Sequence, residues 1–274
     1  MFAFEEERFC RIKTYKDFEA DFHRYPLNSW NWAKSKYPEY LTDIDYITGF
    51  FPPGTKFVEP MLEGITLRNT IKAPYIEVSH HESHCNLAYY LSGFQEDTLV
   101  ISIDASGNNH SAKYYLGQNG NLTYIDGLDL SRKSLGHYYS MLTEFLGFKR
   151  LKDEGKVVGM ASHGHYDSVL YDIFDQCITV DGYLTDLDNS SEVVLGGIYK
   201  DFYNLFYTKT GSKAFWTHKS NIAFNGQLVF EEKILQIIDH LHNLYPKAKK
   251  IALAGGVFAN IKVNKRINEL PWVD

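Results

Sequence analysis

Thr98-Leu99-Val100-Ile101-Ser102-Ile103-Asp104, followed by Ala105-Ser106-Gly107-Asn108-Asn109, is the stretch whose reading decides the fold. The first seven residues form an apolar run with a carboxylate at the C-terminal end, which predicts a buried strand. The glycine- and asparagine-bearing segment after it predicts a tight turn. A second run covers residues 111–117, the turn Gln118-Asn119-Gly120-Asn121 follows, and a third run covers residues 122–125. Three such runs joined by two short turns predict an antiparallel meander.

Downstream the pattern becomes helical. Residues 135–146, closed by Gly147, and residues 157–161, closed by Gly164, predict helices, while residues 192–207 are aromatic-rich and of open type. Leu228, Ile234, Leu235, Ile238, Leu241 and Tyr245 recur at helical spacing, so a long amphipathic helix is expected over 228–245, ended by Pro246. Residues 250–254 predict a strand, Gly255-Gly256 a turn, and residues 257–270 a helix. Upstream, Tyr75-Ile76-Glu77-Val78 predicts a strand that feeds a helix stopped by Gly93. Residues 44–51 predict a strand stopped by Pro52-Pro53, Ser29 a helix cap, and residues 60–70 a connection. A meander followed by helices is similar to the unit of an actin-like or ribonuclease H-like subdomain, in which the first hairpin turn approaches nucleotide phosphates.

The helix after Val78 opens with His80-His81-Glu82-Ser83-His84-Cys85. Residues four apart share a helical face, about 5–6 Å apart at Cβ, so His80 and His84 could hold one divalent ion. His81 points about 100° away and is the weaker candidate. On spacing alone the pair fits either a metal site or polar residues at a helix start, and a complete site needs a further ligand. Asp104, Ser106 and Gly107 put a carboxylate, a hydroxyl and a free backbone at one hairpin, which suits a phosphate or a metal shell as well as it suits a plain turn. Gly255 and Gly256, between strand and helix, let a ligand lie against backbone near a helix N-terminus, with Asn260 one turn in. The competing reading there is a tight strand-to-helix connection. Lys156, in front of a small-residue helix, could steady a phosphate or belong to a solvated face.

Composition narrows the class. The 274 residues, 44% hydrophobic and 23% charged, can bury a sizeable core in one large domain or two packed subdomains. A net charge of −6 and the lack of a Lys/Arg stripe argue against a nucleic-acid partner. No apolar run approaches the roughly 18–20 residues of a spanning helix. The three cysteines, Cys10, Cys85 and Cys177, form no Cys-x-x-Cys pair, and no secretory signal is evident at Met1, so a cytoplasmic location is expected.

Taken in order, the blocks resemble a known family. Glu5-Glu6-Glu7-Arg8-Phe9-Cys10-Arg11-Ile12-Lys13, His80-His81-Glu82-Ser83-His84-Cys85, Ser92-Gly93-Phe94, Asp104-Ala105-Ser106-Gly107, Ser134-Leu135-Gly136-His137-Tyr138-Tyr139, Leu146-Gly147-Phe148, Glu154-Gly155-Lys156-Val157-Val158-Gly159-Met160-Ala161 and Ala254-Gly255-Gly256-Val257-Phe258-Ala259-Asn260 are similar to successive blocks of the O-carbamoyltransferases of nodulation-factor and antibiotic biosynthesis. They cover nearly the whole chain.

The resemblance implies an α/β, actin-like fold of two related, incomplete subdomains, at 1–94 and 95–274. It implies transfer of a carbamoyl group from carbamoyl-adenylate, itself made from carbamoyl phosphate and ATP, to a hydroxyl of a sugar or natural product. It carries a metal, iron by family likeness, onto His80 and His84. It carries the nucleotide site onto Asp104, Ser106, Gly107, Lys156, Gly255, Gly256 and Asn260. Relatives carry an initial strand pair, a later Asp-Gly turn that supplies the third metal ligand, and a C-terminal adenylate-forming domain. The expectation is therefore a fragment, inactive alone, to which a separate chain could supply the rest. Two alternatives stand beside it: a threonylcarbamoyl transferase acting on tRNA, and a non-catalytic nucleotide-binding or assembly module.

Overall fold

The computed structural model describes residues 27–41, 44–49, 74–129, 134–181, 184–187 and 219–274. The early block at residues 5–13, the connection at 60–70 and the aromatic-rich stretch at 192–207 lie outside the described residues. The chain divides into two compact units, Met1–Ser79 and His80–Asp274.

In the first unit, helix α1 covers Leu27–Lys36, starting two residues before Ser29. Strands β1 (Ile47–Gly49) and β2 (Tyr75–Glu77) pair in parallel. Of the expected strands at 44–51 and 75–78, residues 47–49 and 75–77 form strand; residues 50 and 51 lie outside the described residues.

The second unit is built on the meander. Strands β3 (Thr98–Gly107), β4 (His110–Gln118) and β5 (Asn121–Asp129) pair antiparallel in sequence. Strand β8 (Lys250–Ala254) joins β3 in parallel, giving the order β5-β4-β3-β8. The turns use αL backbone at Asn108, Asn109, Asn119 and Gly120, which asparagine and glycine tolerate.

Both faces of β3 are covered, which explains its near-continuous apolar run. Successive side chains alternate across a strand. Leu99, Ile101 and Ile103 enter the main core with residues from α3 (Leu135–Phe145), α4 (Glu154–Ala161), α5 (Ser168–Gln176) and α6 (Lys219–Leu244). Val100 faces the other way, into a smaller cluster with Cys85 and Tyr89 of α2 (His80–Ser92) and with Tyr115 and Ala252. A short antiparallel ribbon, β6 (Ile178–Asp181) with β7 (Leu184–Leu187), follows α5.

Helix α5 and the β6–β7 ribbon have no counterpart in the sequence expectation, and the last two expected helices differ from it. Helix α6 begins at Lys219, nine residues before Leu228, because its polar first turns are buried. Asn221 and Asn225 accept hydrogen bonds there from the backbone N–H groups of His165 and Asp167. The helix expected over 257–270 is split. A 3-10 turn covers Gly256–Ala259, Asn260 caps with β-region backbone, and α7 runs Ile261–Asn268.

Candidate metal centre

The alternation of β3 sets up the site. Val100, Ser102 and Asp104 fall on the face that α2 covers, and α2 meets them in order. Cys85 and Tyr89 pack with Val100, His81 reaches Ser102, and His80 and His84 reach Asp104. The helix N-terminus therefore lies over the C-terminal end of β3, the edge where ligand crevices form in open α/β sheets.

His80 Nε2 lies 3.3 Å and His84 Nε2 3.5 Å from Asp104 Oδ2. The two imidazoles stand edge to face, centroids 4.7 Å apart. One ligand atom from each of His80, His84 and Asp104 lies within 4.8 Å of the other two. Side-chain exposures of 21%, 34% and 24% leave the three half-open, so an ion could enter and keep free positions. Burial alone would push the Asp104 carboxyl up. Hydrogen bonds from the His80 and His84 rings and from the Ala105 N–H outweigh it and hold the carboxyl far below the usual range. Asp104 is thus anionic at any ordinary pH.

Three contacts seat the first turn of α2. The Asn108 side chain in the β3–β4 turn accepts from the His80 N–H at 2.9 Å, satisfying a donor that the helix leaves free. Gly107 makes room for the His80 ring, since a Cβ there would sit 2.2 Å from its Cδ2. His81 is fully buried between the Ser102 hydroxyl, 2.8 Å from Nδ1, and the His110 carbonyl, 3.0 Å from Nε2. Burial pulls its pKa down to about 4.

The strand register brings the diglycine turn to the same place. Ala254 pairs with Ser102, so Gly255 comes beside Ile103 and Gly256 beside Asp104. Gly255 has φ +91°, and a Cβ there would lie 2.3 Å from the Ile103 carbonyl oxygen, so only glycine fits. A Cβ on Gly256 would lie 3.0 Å from Asp104 Oδ1. Helix α3 also starts here, because Ser134 accepts from the His137 N–H as its cap and donates to the Asp104 carbonyl at 2.6 Å.

Of the residues singled out from sequence, His80, His84, Asp104, Gly107, Gly255 and Gly256 converge on this corner, with Ser106 exposed on the adjoining hairpin. Lys156 is directed elsewhere. Its ammonium sits 2.9 Å from Asp153 and 5.7 Å from the Phe148 ring centroid. Asn260 is buried, and its amide is engaged on all sides. It exchanges two hydrogen bonds with Gln227 at 3.0 and 2.9 Å and accepts from the N–H groups of Lys262 and Val263. The sequence reading left out Ser102, His81 as an anchor, and Ser134. Their signals were a lone hydroxyl within Val100-Ile101-Ser102-Ile103 and a serine just before an apolar helix.

Residues 37–271 match the family model described as Carbamoyltransferase N-terminus. The chain belongs to the carbamoyltransferase family. This is the family that the motifs resembled. The uncharacterized protein MJ1051 of Methanocaldococcus jannaschii is 32% identical over 98% of this chain and 48% of its own length. Nodulation protein NolNO of Sinorhizobium fredii is 29% identical over 69% of this chain and 26% of its own. The chain thus spans about half or less of the length of these relatives. The Aquifex aeolicus Ppx/GppA phosphatase, type II variant, superimposes with a TM-score of 0.28 at 12% identity, covering 76% of this chain and 70% of that one. That overlap is too partial to carry an argument. No helix among the described residues is long and apolar enough to cross a membrane.

Proposed function

We propose that this chain carries the metal- and nucleotide-binding part of a carbamoyltransferase. It would move a carbamoyl group from carbamoyl-adenylate, made from carbamoyl phosphate and ATP, to a hydroxyl of a sugar or natural product, on an actin-like scaffold. The observation that carries the reading is the convergence of His80, His84 and Asp104 beside the Gly255-Gly256 turn.

The donor set fits a divalent metal. Two imidazoles and one carboxylate with open positions make the facial triad that suits iron(II), and the same nitrogen and oxygen donors suit zinc. When bound, such an ion supplies Lewis-acid polarisation of a carbonyl or phosphoryl oxygen. Asp104 would contribute the anionic ligand, and His80 and His84 neutral nitrogen lone pairs. Backbone N–H groups at the start of α3 and around Gly256 would donate to anionic oxygens of a nucleotide or carbamoyl phosphate. Without a Cβ, Gly255 and Gly256 let the turn lie directly against Ile103 and Asp104, which keeps its backbone beside the carboxylate.

Titration of the chain with ATP and with carbamoyl-adenylate, with and without iron(II) or zinc, tests the reading. Binding should require metal and should disappear in His84→Ala and Asp104→Ala. If no nucleotide binds even with metal saturating, the reading is overturned.

A further inference from the structure

We propose that His81 is a positioning residue, a neutral bracket that fixes the first turn of α2 to β3 and β4 and so sets the angle at which His80 and His84 face Asp104. The inference rests on the metal reading above and adds to it a residue that touches no ion.

The geometry assigns the proton. A backbone carbonyl only accepts, so His81 Nε2 must donate to the His110 oxygen at 3.0 Å. Nδ1 is then the acceptor, and the buried Ser102 hydroxyl donates to it at 2.8 Å. Both ring nitrogens are thereby satisfied at full burial, each by a different strand. Depression of the imidazole pKa by burial agrees with a ring kept neutral.

The bracket stands between the two candidate ligands along the chain. A rotation of α2 that carried His80 away from Asp104 would break a bond on one side of His81 or drive its ring into β3. The His80 and His81 rings meet edge to face at 5.2 Å, so a shift in one is felt by the other. The Asn108 cap and the Gly107 cradle also hold the first turn, but both act on His80 and neither touches His84.

The test separates positioning from ordinary core packing. Cobalt(II) is titrated into the intact 274-residue chain, and its visible spectrum reports the coordination geometry. Three variants are compared: His81→Leu, which keeps volume but loses both bonds; His81→Gln, whose amide can still donate to the His110 carbonyl; and Ser102→Ala, which removes one partner only. Removal of an outer-shell partner typically weakens metal binding about 10–100-fold. His81→Leu should lose at least about tenfold in cobalt affinity with an altered spectrum. His81→Gln should recover most of that loss, and Ser102→Ala should fall in the same direction by less. If His81→Leu does not fold, Ser102→Ala against the parent chain still decides. A parent-like affinity and spectrum in His81→Leu, or in Ser102→Ala where His81→Leu does not fold, would overturn the positioning role while leaving the metal reading intact. Failure of the parent chain itself to bind cobalt would remove both.

Discussion

At the scale of single residues, the candidate centre depends on two small facts about β3. Asp104 has the same parity as Ser102 and Val100, so it points at α2 rather than into the main core. Gly107 has no Cβ, so the His80 ring can lie against the hairpin. His80→Ala, His84→Ala and Asp104→Ala should each weaken cobalt or zinc binding by more than the roughly 10–100-fold loss typical of outer-shell changes, as measured by competition with a chelating dye. Gly107→Ala makes a sharper test. Its added methyl would meet His80 Cδ2, Cγ and Cβ at 2.2, 2.4 and 2.8 Å, so the ring must swing out. Metal affinity should fall by about tenfold or more while the fold persists, because the ring is half-exposed and has room to move. Parent-like affinity in Gly107→Ala would mean that the His80 ring is not a ligand. The histidine pair was legible in the sequence because i, i+4 spacing is a local property. Asp104 was legible as a strand-end acid but not as the partner of that pair, since this depends on where α2 crosses the sheet.

At the scale of elements, one buried amide ties three helices together. Gln227 of α6 accepts from the Tyr139 hydroxyl of α3 at 2.5 Å, exchanges two bonds with Asn260 at the α7 cap, and donates to Glu231 at 2.7 Å. Glu231 in turn accepts from Arg266 of α7 at 3.2 Å. Burial keeps the Tyr139 phenol protonated, consistent with its role as donor. Gln227→Leu would orphan the Tyr139 hydroxyl and the Asn260 NH2 in the core. At about 1–3 kcal/mol for each unsatisfied buried group, the loss should be about 2–6 kcal/mol by urea unfolding. Gln227→Leu combined with Asn260→Leu should cost less than the sum of the two, because each alone strips the other's amide of the same two bonds. Strict additivity would break the account. The same network explains why the diglycine turn was read well and Asn260 was not. Glycine beside a strand end is informative on its own, whereas an asparagine that could bond a ligand and one that caps α7 look identical in sequence. Helix α5 was missed although Leu170, Ile173 and Phe174 share a face and Asp167 caps it; nine residues give too short a period to stand out.

At the scale of the whole molecule, the meander and the strand at 250–254 were readable because apolar runs and turn residues dictate them locally, whereas the parallel pairing of β8 with β3 is set by long-range packing. The polar start of α6 was not, since Asn221 and Asn225 look like loop residues until His165 and Asp167 supply their partners. Global stability should carry the signature of His81. Its pKa is lowered, chiefly by burial, from an ordinary 6.5 to about 4. Between those values the unfolded chain takes up a proton that the native chain refuses, so acid favours unfolding. The contribution is full above about pH 6.5, declines as the pH falls to about 4, and changes no further below that; at about 1.4 kcal/mol per pKa unit it amounts to at most about 3–4 kcal/mol. His137, also held down chiefly by burial and then by Arg150, adds in the same direction. Asp104 acts in a separate window: its depressed carboxyl adds stability that is lost only in stronger acid, as the pH falls from its ordinary 3.8 towards its lower native value. Urea midpoints of the metal-free chain from about pH 7 to about pH 4.5 should therefore fall more steeply for the parent than for His81→Gln, which has nothing to titrate at that position. The carboxylates and remaining histidines are common to both chains and cancel in the difference. Equal slopes would mean that the His81 imidazole is free to take up a proton in the native state, and the buried bracket between Ser102 and the His110 carbonyl would then be wrong.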